Sequence, residues 1–253
     1  MDHVAHRAAI SAEGSALASV PAEALDRPVA ACPGWTVARL IGHTGRVHRW
    51  AAGFLAAGPD GGEVDAGLRP PEGPAILAWY RESLDELLAE LDRQDPAAPV
   101  ASFAGPATAA FWFRRQAHEV AVHRWDAEDA ATPGAAAPIA PALAADGIDE
   151  WLELFVPRFL DKREAPVPEG LVGATVHIHC TDEGLPAGNG EWLLSLTAAG
   201  CEVERAHAKG DAALRGPASD VLLALWHRLP LDRIDAVGDA DRAREVLDLV
   251  HVT

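Results

Sequence analysis

The sequence predicts an α+β protein: an up-and-down four-helix bundle in the first half and a smaller α+β domain in the second. Three observations carry that expectation. Four segments before residue 132 repeat apolar side chains every three to four residues, the period of a helix with one buried face. A Pro- and Ala-rich stretch, Thr132-Pro133-Gly134-Ala135-Ala136-Ala137-Pro138-Ile139-Ala140-Pro141, reads as a linker. After Gly173 the period drops to two, the alternation of a half-buried strand. The domains expected from this pattern span 1–135 and 142–253.

Residues 2–25 are expected to form the first helix, with Val4, Ala8, Ile10, Leu17 and Val20 as its greasier positions and Gly14 as a weak point. Pro33-Gly34 marks a turn, and Thr36 is placed to cap the next helix through its hydroxyl. From Val37 to Ala57 apolar residues recur at 37, 40, 41, 47, 51, 54 and 55. His43 and His48 lie on opposite shoulders of that stripe, and the period does not decide which points inward. Arg39, Arg46 and Arg49 fall on the far side and are expected to face solvent. Gly, Pro and Asp make 58–74 a loop. Pro74 to Asp92 is the third helix, on Ile76, Leu77, Tyr80, Leu84, Leu87, Leu88 and Leu91, and 95–106 reads as another loop. The fourth helix runs from about Ala109 to Ala130, with no Gly or Pro inside it.

In the second half, Leu143–Lys162 is expected to be one helix with Trp151, Leu152, Phe155, Val156 and Phe159 inward. Ala174–Cys180 alternates as a strand, Val176, Ile178 and Cys180 sharing one face and His177 and His179 the other. Two histidines so placed could bind a metal, but a solvated face is the expected outcome. Strands follow at Glu191–Thr197, after a Gly-Asn-Gly turn, and at Cys201–Arg205. Gly216-Pro217 opens a helix to about His227, with Val221, Leu222, Leu225 and Trp226 as its core side. A short strand at 234–238 and a helix at 240–250 close the chain.

The totals exclude several functions. Asp and Glu number 38 against 21 Lys and Arg, for a net charge of −17 in 253 residues. Such a surface is repelled by nucleic acid and by anionic membranes. Cys32, Cys180 and Cys201 are far apart and odd in number, which argues against a disulfide framework or a cysteine zinc site. No signal-peptide core and no long uncharged apolar run are visible, so a cytoplasmic protein is expected.

The fourth helix holds the densest chemistry. Glu119 and His123 are four residues apart and therefore stacked on one face, where a carboxylate and an imidazole can grip one divalent metal. Arg115, Glu119, His123 and Asp126 share a narrow stripe; His118 lies about a quarter turn away and is the poorer partner. A Glu-x3-His pair is also what a solvated face with an Arg115–Glu119 ion pair looks like, and zinc needs a third ligand from elsewhere. Asp126 is expected in a surface ion pair more than as the acceptor for His123. Trp35 and Trp125 are expected to pack in the core or between domains.

Three passages together resemble the mycothiol-dependent maleylpyruvate isomerases, part of the wider DinB-like four-helix superfamily. They are Cys32-Pro33-Gly34-Trp35-Thr36-Val37-Ala38-Arg39-Leu40-Ile41-Gly42-His43, then Ala117-His118-Glu119-Val120-Ala121-Val122-His123-Arg124-Trp125-Asp126-Ala127, then Leu214 to Ala218 with Leu225-Trp226-His227-Arg228. The resemblance implies a divalent metal, usually zinc, held by His43, Glu119 and His123, with mycothiol as the thiol cosubstrate. It implies a sterol-carrier-like second domain whose arginine holds the anionic substrate: Arg228, with Arg215 as the alternative. His227 departs from the Gly expected before that arginine.

The chemistry implied is thiolate addition to an electrophilic small molecule. Three protein ligands leave one position of a zinc open, and a thiol entering it loses its proton. Addition to a cis enedioyl acid, rotation and elimination give the trans isomer; addition without elimination is an S-transfer. The alternative is a non-catalytic protein with a structural metal, or none, whose second domain carries an apolar ligand.

Overall fold

The computed structural model describes residues 1–61, 69–163, 165–185 and 190–250. The loop expected at 58–74 and the Gly-Asn-Gly turn fall partly outside them. The chain divides into two compact units, Met1–Ala137 and Pro138–Thr253.

The first unit is built on four helices: α1 (His3–Leu17), α2 (Val37–Ala57), α3 (Ala75–Leu91) and α4 (Ala109–Ala131). α1 packs on α3 and α4, and α2 packs on α3 and α4, so the order around the bundle is α1, α3, α2, α4. Ile10, Leu17, Leu40, Ile41, Tyr80, Leu87 and Val120 fill its centre. α1 stops well short of residue 25, because Pro21 has no N–H to continue the ladder; a single 3-10 turn, Ala22–Ala24, follows. Gly14 has a packing reason: a Cβ there would sit 2.7 Å from Leu84 of α3. Thr36 caps α2 as its position suggests, accepting from the Arg39 N–H at 3.3 Å.

The segment before α4 is not a simple loop. β1 (Pro99–Ser102) and β2 (Gly105–Thr108) form an antiparallel hairpin. Two prolines in eight strand residues hide it from a pattern search, since proline is a poor strand signal. The hairpin is held by Trp112, whose indole N–H donates to the Ala101 carbonyl at 3.0 Å and whose rings pack among Trp50, Phe54 and Phe103.

In the second unit the expected single helix is interrupted. α5 (Pro141–Glu150) runs into a wide π turn at Trp151–Phe155 and then α6 (Val156–Asp161). Pro157 is the cause: its ring displaces the carbonyl four residues back and it donates no hydrogen bond. The sheet has strand order β5-β4-β3-β6-β7, from β3 (Thr175–Cys180), β4 (Glu191–Thr197), β5 (Gly200–Glu204), β6 (Ala212–Gly216) and β7 (Asp235–Gly238). All pairings are antiparallel except β3 with β6. β6 was not anticipated, because its short Ala-rich run alternates too weakly. α7 (Ala218–Leu225) crosses β3 and β6 and packs on α5, and α8 (Ala240–Asp248) lies on β6. Val176, Ile178, Trp192, Leu194 and Leu214 are buried on the inner face. Among the described residues no helix is long and apolar enough to cross a membrane.

Candidate metal centre

α2 and α4 bring three side chains of the first unit together. Nε2 of His43 lies 3.4 Å from Oε1 of Glu119, and Nε2 of His123 lies 3.3 Å from the same oxygen. One ligating atom from each of the three lies within 4.8 Å of the other two. The two imidazoles stand nearly perpendicular, 5.4 Å between centroids. These spacings suit a cation. Two donors held at ~2.0–2.1 Å from a tetrahedral zinc are about 3.3–3.4 Å apart.

The surroundings aim each donor. Arg115 donates to Oε2 of Glu119 at 3.0 Å, which turns Oε1 toward the imidazoles. The Arg115–Glu119 pair anticipated from the sequence therefore exists, but Arg115 is buried, so the stripe is not a solvated face. Asp126 also departs from expectation. Its side chain is 0% exposed, and Oδ2 is 3.0 Å from Nδ1 of His123. A carboxylate at Nδ1 fixes that nitrogen as the donor and leaves the Nε2 lone pair for a metal. Trp35 lies against His43, 4.9 Å between rings, and the exposed Arg39 guanidinium lies 5.0 Å from the centroid of its ring.

The two histidines of α2 part company. His48 is fully buried, with Nδ1 2.7 Å from Oε1 of Gln116 and Nε2 3.3 Å from the Tyr80 hydroxyl. Burial pushes its pKa down to about 4, against the Gln116 bond and the Glu119 charge that favour the cation. It is a neutral structural residue. His118 is likewise buried, edge-on to His6 of α1. Arg46 is exposed as expected, but Arg49 is half-buried, donating to Ser83 at 2.8 Å and pairing with Glu86 at 2.7 Å.

Electrostatics couple the three donors. Burial raises the Glu119 carboxyl, but bonds from His123 and His43 and the Arg115 charge outweigh it and hold it well below the usual range. Burial works against a charged His123 as well, yet Asp126 and Glu119 lift its pKa to about 9. Without a metal the pair is an ion pair, and a cation must displace a proton to bind.

Arg228 belongs to the second unit, in the bend after α7. Its guanidinium donates to the Trp226 carbonyl at 2.8 Å. His227 before it has φ 57°, the only positive value at a non-glycine residue in the described chain. His227 thus occupies the left-handed conformation that favours glycine, at a cost of about 1–2 kcal/mol. Arg215 lies on β6, 3.7 Å from Asp235. The acceptor role of Asp126 is the lesser of the two readings its i+3 spacing to His123 offers; the place of Trp35 has no local signal, since nothing ties it to His43.

Comparison with known proteins follows the same division of the chain. Residues 6–128 match the model of the mycothiol maleylpyruvate isomerase N-terminal domain, and residues 142–245 match that of the corresponding C-terminal domain. No curated protein matches the chain in sequence. Among solved structures, the mycothiol-dependent maleylpyruvate isomerase superposes with TM-score 0.61 at 14% identity, over 93% of this chain and 91% of the other. A histidine-to-alanine mutant of that enzyme gives 0.63 at 13%, over 94% and 93%. With both domains matched in order across most of its length, the chain belongs to the mycothiol maleylpyruvate isomerase family.

Proposed function

We propose that the chain is a zinc-dependent, thiol-using enzyme whose metal is held by His43, Glu119 and His123, with mycothiol as its cosubstrate. The reaction is addition of the thiolate to an electrophilic acid, giving cis–trans isomerisation of a maleylpyruvate-like substrate or an S-conjugate. The observation that carries this is Oε1 of Glu119, nearly equidistant from two imidazole Nε2 atoms while Arg115 holds the other oxygen aside.

A zinc there would act as a Lewis acid that makes an incoming thiol a thiolate at neutral pH. The chain's own residues set the conditions. Asp126 keeps the His123 proton on Nδ1, so Nε2 stays a donor atom. Arg115 offsets the Glu119 charge. One dication and one guanidinium against two carboxylates leave the centre net positive, which favours both a thiolate and an acidic substrate. Arg228 is assigned to the substrate carboxylate and to the negative charge that grows on the neighbouring carbonyl oxygen during addition. A cytoplasmic location, where low-molecular-weight thiols are reduced, suits the reaction.

The test is metal analysis of the parent and of His123→Ala, with thiol conjugation and isomer formation followed by mass spectrometry and chromatography. The expected result is zinc and thiol-dependent product in the parent, with the equivalent of zinc held by the bundle and the product both lost in the variant. A parent that keeps its zinc but gives neither product with any low-molecular-weight thiol overturns the enzyme and leaves a metal-binding protein.

A further inference from the structure

The outer face of the second unit's sheet gathers a second set of metal-binding side chains. His179 on β3 and Glu191 on β4 are direct cross-strand partners, and His177 lies two residues back on the same side of β3. His207, in the segment between β5 and β6, reaches the same place. One ligating atom from each of the four lies within 4.8 Å of every other. Oε2 of Glu191 is 3.3 Å from Nε2 of His177 and 2.5 Å from Nδ1 of His207; Oε1 is 3.6 Å from Nε2 of His179. The three rings lie 5.6 to 6.0 Å apart.

This face was expected to be solvated, and His177 is not. It is buried, and its Nε2 meets the Glu191 carboxylate at 3.3 Å in poor hydrogen-bond geometry. A buried ring nitrogen whose neighbour is a carboxylate in poor hydrogen-bond geometry is uncommon and needs an explanation. Three imidazoles and one carboxylate, with one ligating atom of each within 4.8 Å of the others, supply it: groups gathered so closely can share a cation. Arg215, opposite His179 in the β3–β6 register, ion-pairs with Asp235.

We propose that His177, His179, Glu191 and His207 form a second divalent-metal site, separate from the bundle centre. Its donors select a transition cation of the zinc type over magnesium or calcium, which require oxygen ligands. Four protein ligands complete a tetrahedral shell, so the site is structural. Its effect is to tie the segment carrying His207 to β3 and β4.

The experiment uses the full chain with Zn²⁺ and Co²⁺ as probes. Zinc per chain is counted after dialysis in the parent, in His123→Ala, and in each with His207→Ala or His179→Ala added; His207 is exposed, so its replacement leaves the fold intact. His123→Ala is expected to keep one equivalent of zinc and to give the visible bands of tetrahedral Co²⁺. Adding His207→Ala is expected to weaken that binding by at least the ~10–100-fold that loss of a supporting partner causes. In the parent, His207→Ala lowers the count by one whether or not the bundle centre is loaded, so the two sites fail separately. Zinc binding unchanged by both His207→Ala and His179→Ala, or no zinc in His123→Ala, overturns the proposal.

Discussion

Asp126 lies directly beneath His123, Oδ2 to Nδ1 at 3.0 Å, with no part of its side chain open to water. A surface ion pair could be removed with little effect; this one orients a proposed ligand. Asp126→Asn is expected to leave the fold intact and weaken zinc binding by about 10–100-fold. Competition with a chelator of known affinity measures it, and unchanged affinity would mean that the ring is held by packing alone.

Metal binding should strengthen with pH. His123 titrates at about 9 without a metal, and zinc needs its Nε2 unprotonated. Proton and metal therefore compete below that pH, and apparent affinity is expected to rise about tenfold per pH unit from 6 to 8. Calorimetric titrations at three pH values check this. Affinity that levels off above pH 6.5 would show that Asp126 and Glu119 do not hold the proton there.

His48 should make the fold acid-sensitive. Its folded pKa, about 4, is below the unfolded value of 6.5, so the unfolded chain takes up a proton that the folded chain refuses. Its stabilising effect is complete above pH 6.5 and is lost as pH falls toward 4, by up to about 3 kcal/mol. Urea midpoints between pH 4 and 7 are expected to decline with acid, and more gently in His48→Asn. Equal slopes in the two chains would assign the decline to other groups.

Gly45 of α2 leaves room for Trp79 of α3. A Cβ there would lie 2.4 Å from the Trp79 ring, which Arg49 covers at 5.2 Å from its centroid. Gly45→Ala is expected to destabilise the chain by about 1–3 kcal/mol, because overpacking exceeds the gain of ~1 kcal/mol in helix propensity. Thermal unfolding reads the sign.

Arg228→Met is expected to lower kcat by about 10²–10³-fold if the guanidinium meets the growing oxyanion, with zinc content unchanged. An equal loss in Arg215→Met, with Arg228→Met fully active, would move the role to β6.

Much was legible in the sequence because local spacing records which face is buried. The four bundle helices, the alternation of β3 and β4, the Thr36 cap and the Glu119–His123 stack all follow from period, and the family likeness added His43 from a distant segment. What failed locally had identifiable causes. Pro157 turned a helix into a π turn, Pro21 ended α1 early, and the hairpin of β1 and β2 carried no alternating signal.

By itself the sequence determined the elements, their inward faces and the residue types able to hold a cation, since these depend on neighbours one or two turns away. Only the tertiary structure decided environment. It sent His48 to Gln116 and Tyr80 and His43 to Glu119, buried Asp126 behind His123, and carried His207 to His177 across thirty positions of chain. Burial and pKa are properties of what surrounds a side chain in space, and packing between distant segments sets them.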